Sequence, residues 1–336
     1  MKLFHSLLYP LLGGLFCLSC SDDEQDSGTK QPTTAGEVTF GVDLTGFSTR
    51  VTQDGSSWND GDKIGTYVLD MKTLEPVTEA ANVPYVCSEE GASVSFTSTT
   101  PLKVQNDGTP VKFVAYYPYN ADVRNFNYPV QLAAQERGST ACDLLYAATK
   151  EEYTYSPENE PHISLNFTHR LAKVILKFVN MEKEPLEVSD VRIEGMQTAA
   201  SFNIQTDVLT VDESSVATIN PYHNATTGFY EAIILPSALT DSYKVSFVLD
   251  DREKEWIFTN LDIALPQFHK GYSYTFALYI DDSGFVEMGR LENVEGGNSS
   301  APWEDGSSED GTAEGDKTPV SGYAFTPADG TQQALA

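Results

Sequence analysis

The sequence predicts an all-β chain folded as antiparallel sandwiches, and three observations carry that prediction. Short stretches of alternating apolar and polar residues recur along the body, the period of strands with one buried face. Asp-Gly, Pro and Asn-rich turn signals separate them at close intervals. An apolar content of 40%, with 17 Tyr and 17 Phe, supplies aromatic cores, while no amphipathic helix of three turns is legible.

Taken in order, Val38, Phe40, Val42 and Leu44 alternate and place four apolar side chains on one face of a first strand, which closes on Ser48-Thr49-Arg50. Residues 52–59 are polar, and Trp58-Asn59-Asp60-Gly61-Asp62 reads as a tight turn because Gly accepts positive φ. Lys63–Leu69 (KIGTYVL), Ala92–Thr97 and Val111–Tyr117 (VKFVAYY, stopped by Pro118) follow as strands. Val130–Arg137 is left between a short helix and an extended piece, and Asp143–Ala148 is a short apolar run. Glu151–Pro161 is acidic and unpatterned, which suits a junction or long loop.

The pattern restarts at Ile163. Leu165, Phe167 and then Val174–Val179 (VILKFV) read as the opening of a second sandwich. Val188–Ile193, Ser201–Ile204, Val208–Val211, Ala217–Ile219, Phe229–Leu235, Tyr243–Leu249, Glu255–Phe258 and Tyr272–Ile280 continue it. Residues 304–336 carry 7 acids and 1 base with few apolar side chains, too little to offset chain entropy, so a disordered tail is expected, with Val320–Pro327 its weak strand candidate.

The N-terminus sets the compartment. Lys2 precedes an apolar run, Leu7–Leu18, broken by Pro10, Gly13 and Gly14, which suits a secretory signal and is too short to cross a bilayer as a helix. It ends on Leu18-Ser19-Cys20, similar to a bacterial lipobox, so Cys20 is the expected lipidated first residue, its acyl chains anchoring the protein to the outer membrane. Ser21, Asp22, Asp23 and Glu24 follow at once and resemble the surface-export signal of Bacteroidetes lipoproteins. The division that results is a signal peptide (1–19), a lipidated flexible tether (20–36), an N-terminal β-sandwich (37–161), a C-terminal β-sandwich (162–303) and the acidic tail (304–336).

A net charge of −28, from 49 acids against 21 bases, opposes nucleic acid and anionic lipid as partners. Cys87 and Cys142 stand alone in the body once Cys17 leaves with the leader; one disulfide or two thiols are both open, with buried thiols the preferred reading for a chain of this size. His162, His169, His223 and His269 are scattered singly without metal-ligand spacing, and each reads as a solvated or core-edge histidine. Asp250-Asp251 and Asp281-Asp282 sit at expected turns, and no phosphate-binding glycine loop is present. No catalytic residue, metal ligand or cofactor is assigned.

Several of these pieces together resemble the fimbrillin-like (Mfa-like) family, the type V pilin lipoproteins of Bacteroidales. They are the lipobox with Ser21–Glu24, the first strand ending on Arg50, Trp58 with Gly61-Asp62-Lys63-Ile64-Gly65, and Phe113–Tyr119. Asp143–Ala147, Phe167–Val174 and Gly271-Tyr272-Ser273-Tyr274 complete the series. The resemblance implies two transthyretin-like sandwiches in series and an assembly route. A protease specific for Arg or Lys removes the lipidated N-terminus and first strand, here Glu37–Thr49 with cleavage at Arg50. A strand from the C-terminal region of the next subunit then fills the groove. Cutting at Lys30 would free the lipid without opening a groove. Two donors are open, Gly284–Val294 and Val320–Pro327. The implied partners are other fimbrial subunits by strand exchange and the outer membrane through the lipid. A host or bacterial surface ligand also stays open, because the alternative is a monomeric surface lipoprotein that binds glycan, with Tyr116, Tyr117 and Tyr119 as stacking candidates, or an anchor subunit that keeps its lipid.

Overall fold

The structure is a computed structural model and describes residues 35–43, 58–78, 81–91, 93–135, 138–158, 160–180, 184–238, 243–249, 254–259, 267–280, 286–290 and 304–305. The first half contributes β1 (Ala35–Glu37), β2 (Thr39–Asp43), β3 (Lys63–Asp70), β4 (Val83–Cys87), β5 (Ser93–Thr97) and β6 (Lys103–Gln105). It continues with β7 (Val111–Tyr117), β8 (Asn127–Gln131), β9 (Leu145–Ala148), β10 (His162–Leu165) and β11 (Thr168–His169). Eight of these form one sheet in the order β10-β2-β5-β4-β3-β7-β9-β11, and β1 pairs with β6.

Burial explains why the strands of this sheet read differently in sequence. β5 (SVSFT) buries only Val94 and Phe96 and alternates cleanly. β3 and β7 are covered on both faces: Ile64, Val68, Phe113 and Ala115 face the first core, while Tyr67, Leu69, Val114 and Tyr116 face a second. Strands buried on both sides become nearly continuous apolar runs. The Asp60-Gly61 turn forms as expected, with Gly61 at φ +88° and the Asp62 amide donating to the Asn59 carbonyl at 3.1 Å.

Gly65 in β3 is fixed by its neighbour. A β-carbon there would lie 2.2 Å from Cε1 of Tyr116, whose ring is fully buried and whose hydroxyl donates to Asn82 Oδ1 at 2.6 Å. The ring has nowhere to go. Gly65→Ala should therefore destabilise the fold by about 3 kcal/mol, the upper part of the range for overpacking, read as a shift in denaturant midpoint at unchanged slope.

The second half contributes β12 (Ala172–Asn180), β13 (Val188–Gln197), β14 (Ala199–Asn203), β15 (Val208–Val211), β16 (Val216–Ile219), β17 (Tyr222–Asn224) and β18 (Phe229–Ile234). After these come β19 (Ser237–Ala238), β20 (Lys244–Leu249), β21 (Lys254–Thr259), β22 (Gln267–Phe268), β23 (Tyr272–Ile280), β24 (Val286–Arg290) and β25 (Glu304–Asp305). One sheet runs β17-β18-β12-β23-β24, with β25 also on β23, and the other runs β16-β13-β20-β21. Val174, Leu176, Phe178, Phe247, Phe276 and Leu278 fill the core built by their strands.

Antiparallel neighbours dominate, but β10 runs parallel to β2, β12 to β23 and β25 to β23. Residues 162–169, expected to open the second sandwich, pair with the first sheet instead: β10 lies on β2 and β11 on β9. Alternation marks Ile163 and Leu165 as a strand but carries no sign of a partner so distant in sequence. Similarly, among the described residues pairing begins at Ala35, inside the stretch read as tether, and of Val130–Arg137 the first two residues end β8. Leu44 and Val320–Pro327 lie outside the described residues.

The two halves meet through shared structure. β8 pairs with β14, which pairs with β15, so one three-stranded sheet draws on both halves. Behind it lies the core that covers the other face of β3 and β7, with Tyr67, Tyr116, Tyr146, Leu171, Phe202 and Ile233 among its members. Gln135 completes the joint. Its buried amide donates to the Leu132 and Ile233 carbonyls at 2.8 and 2.7 Å and accepts from the Ile233 amide at 2.8 Å, standing in for a neighbouring strand.

Burial pushes the phenols of Tyr67, Tyr85, Tyr128 and Tyr146 up to about 12 from an ordinary 10.0, because the charged form loses hydration. A phenol raised in the folded state binds its proton more tightly there than in the unfolded chain. Stability is therefore whole below pH 10 and declines as pH rises from about 10 through 12. Absorbance of tyrosinate and tryptophan fluorescence followed together should show these tyrosines ionising as the cores open.

Candidate functional site: the seat of the first strand

The described residues place the first strand inside the sheet. β2 pairs antiparallel with β5, Phe40 opposite Phe96 and Val42 opposite Val94, and parallel with β10, Thr39 opposite His162 and Gly41 opposite Ser164. Val38, Phe40 and Val42 point into the first core and are buried, while Glu37, Thr39 and Gly41 face outward. The expected face is thus formed over those three side chains. Phe40 sits edge-on to Tyr85 and Phe113, with ring centroids at 4.8 and 5.8 Å.

Between β1 and β2 the backbone is tied on both sides. The Val38 amide donates to the Leu102 carbonyl and the Thr39 amide to the Pro161 carbonyl, each at 2.9 Å. The buried Tyr85 hydroxyl donates to the Val38 carbonyl at 2.9 Å and accepts from the Leu102 amide at 2.8 Å, serving strand and seat at once. On the outer face His162 Nδ1 lies 3.0 Å from Thr39 Oγ1. The Lys103–Glu37 pair at 3.2 Å is exposed and adds little. After Asp43 the described chain resumes at Trp58, whose indole meets Phe96, Tyr117 and Phe167 edge-on at the end of the same core.

Cys20, Ser21, Asp22, Asp23, Glu24 and Arg50 all lie outside the described residues, as does Lys30. Cys87 and Cys142 are free thiols, with Cys87 buried in the first core and Cys142 part-buried, and burial pushes both thiols up. Tyr116 belongs to the core, and Tyr117 and Tyr119 are half-buried. Among the described residues no group of three His, Cys, Asp or Glu side chains is placed to hold a metal.

The histidines differ from their expected settings in one case. His162 is exposed beside Thr39, His223 stacks on Tyr230 with centroids at 4.5 Å, and His269 lies beside Gln267. His169 is neither solvated nor at the core edge: it is buried, and its Nδ1 lies 2.8 Å from Asp143 Oδ1. The contact brings together two separate sequence motifs, because β11 pairs with β9 and sets His169 opposite Leu145. Arg170 grips Asp207 through two nitrogens and lies 4.7 Å over the Tyr146 ring. Lys173 Nζ reaches Glu231 at 2.6 Å, and Glu231 also accepts from Asn224 Nδ2 at 2.9 Å. The polar residues of Phe167–Val174 therefore knot the junction of the two halves, a structural task. Asp143 and His169 are the pair that sequence reading missed, since 26 residues separate them.

Similarity to known proteins fits this architecture. The fimbrillin-like family pattern matches residues 49–303. A solved structure of a Bacteroides uniformis protein assigned to cell adhesion superposes with a TM-score of 0.63 at 23% identity, covering 76% of this chain and 96% of that one. A Bacteroides ovatus protein assigned to cell adhesion gives 0.59 at 14% identity, covering 77% and 97%. Curated proteins give no match. A family pattern that spans most of the chain, on an all-β framework shared with those structures, means that this chain belongs to the fimbrillin-like family.

Proposed function

We propose that this chain is a structural, non-enzymatic subunit of surface fimbriae, exported as a lipoprotein acylated on Cys20 and routed outward by Ser21–Glu24. Cleavage after Arg50 removes the anchor and the first strand, and a strand from the C-terminal region of another subunit takes its place. The observation that carries this reading is the two-sided seat of β2, paired with β5 on one edge and β10 on the other. β1 and β2 precede Arg50 and every other described strand follows it, so one cut releases this segment alone. Its departure exposes two rows of backbone donors and acceptors and the apolar pockets of Val38, Phe40 and Val42. Such an edge is strongly driven to pair with another chain.

The N-terminus and intact mass of protein recovered from the cell surface test the proposal. A start at Val51 together with oligomer ladders that survive mild denaturation is the expected result. Arg50→Ala should keep the first strand and abolish the ladder. A start at acylated Cys20 in every molecule would overturn the stalk-subunit reading; acylated chains at one end of each ladder would identify an anchor role.

A further inference from the structure

The seat is selective about what it accepts, and Gly36 shows how. A β-carbon at that position would lie 2.4 Å from Cε2 and 2.7 Å from Cζ of Tyr155, and 2.9 Å from Cγ of Pro161. Tyr155 is 8% exposed and packs in the first core, so its ring has little freedom to yield. Four residues on, Phe40 fills a pocket between Tyr85 and Phe113. At Gly41 a β-carbon would meet His162 Nε2 at 2.7 Å, a softer restriction because that ring is exposed and can turn. An occupant must therefore offer glycine, an aliphatic residue two places on, a large apolar residue at four, and a small one at five.

Gly36-Glu37-Val38-Thr39-Phe40-Gly41 meets that demand, and the sequence meets it once more, at Gly284-Phe285-Val286-Glu287-Met288-Gly289. Both glycines and the valine recur at the same spacing, with Met288 at the place of Phe40. The other candidate, around Gly322, offers Ala324 and Thr326 at two and four and would leave the aromatic pocket unfilled. Pairing favours the transfer as well. β24 ends its sheet and among the described residues pairs only with β23, whereas the seat pairs a strand on both edges.

We propose that Tyr155 and Pro161 act as a glycine filter and that Gly284–Gly289 of a second copy is the occupant they select. Gly284 lies under Tyr155, and Met288 enters the pocket of Phe40. This rests on the reading that the first strand leaves. The register follows: Thr39 stands opposite His162, so Glu287 of the incoming strand takes that level.

Cross-linking and compensation on ladders recovered from cells test it. His162→Cys with Glu287→Cys should give disulfide-linked ladders under denaturing, non-reducing conditions, and His162→Cys with Val286→Cys should not. Gly284→Ala should lower ladder yield about tenfold or more, and Tyr155→Ala in the same chain should restore it. Monomer melting of each variant separates these effects from misfolding. Ladders that form normally in Gly284→Ala, or that cross-link through residues 320–327 instead, overturn the filter and its occupant while strand exchange stands. Absence of ladders in the unaltered protein overturns strand exchange itself.

Discussion

Asp143→Ala should lower stability by about 3–5 kcal/mol, among the largest losses available from one side chain in this fold. Asp143 and His169 are 6% and 2% exposed, and Asp143 Oδ1 meets the imidazole at 2.8 Å. Truncation withdraws a buried carboxylate from a buried ring. The damage is not local, because the neighbouring Arg170 holds Asp207 and covers Tyr146, and Leu144, Tyr146 and Leu171 belong to the core at the junction. Asp143→Asn keeps an oxygen at the same reach and should cost less, about 1–2 kcal/mol. Asp143→Leu combined with His169→Phe removes both polar partners and should recover much of the loss seen in Asp143→Ala. Denaturant titration of the three variants checks this; equal losses in all three would reduce the pair to a space-filling role.

That pair also shows where legibility in the sequence ends. Alternation exposes β5 and β23, and paired burial exposes β3 and β7, because each strand's own neighbours determine those patterns. The Asp143–His169 contact depends on which strands become neighbours, and no local signal records that β11 returns to β9. The same holds for the parallel contacts of β10 with β2 and β12 with β23, which join residues far apart without an intervening turn. Gly36 is the clearest case. In sequence it closes a polar stretch and reads as part of a flexible tether, but in the fold it is the one residue that fits beneath Tyr155 and beside Pro161. Two of the matched pieces, by contrast, explain each other. Gly65 is small because Tyr116 covers it, so Lys63–Gly65 and Phe113–Tyr119 are tied to each other by packing.

Phe40→Ala should produce a loss of similar size, about 3–5 kcal/mol, but only while the first strand is present. The Phe40 ring is fully buried and meets Tyr85 and Phe113 edge-on, so truncation leaves a cavity that the surrounding aromatic rings cannot collapse to fill. In the uncut chain the denaturant midpoint falls accordingly. On the proposed assembly route, cleavage at Arg50 carries the altered residue away with the departing segment. Polymers grown from Phe40→Ala chains should then be as stable as those from the unaltered protein, and strand release should be faster because less apolar contact resists it. Met288→Ala reverses the pattern. If Met288 occupies the same pocket in the polymer, its truncation weakens the ladder by about 2–5 kcal/mol per joint. Polymers from Phe40→Ala chains that are weakened as much as the uncut protein would mean that the first strand never left its seat.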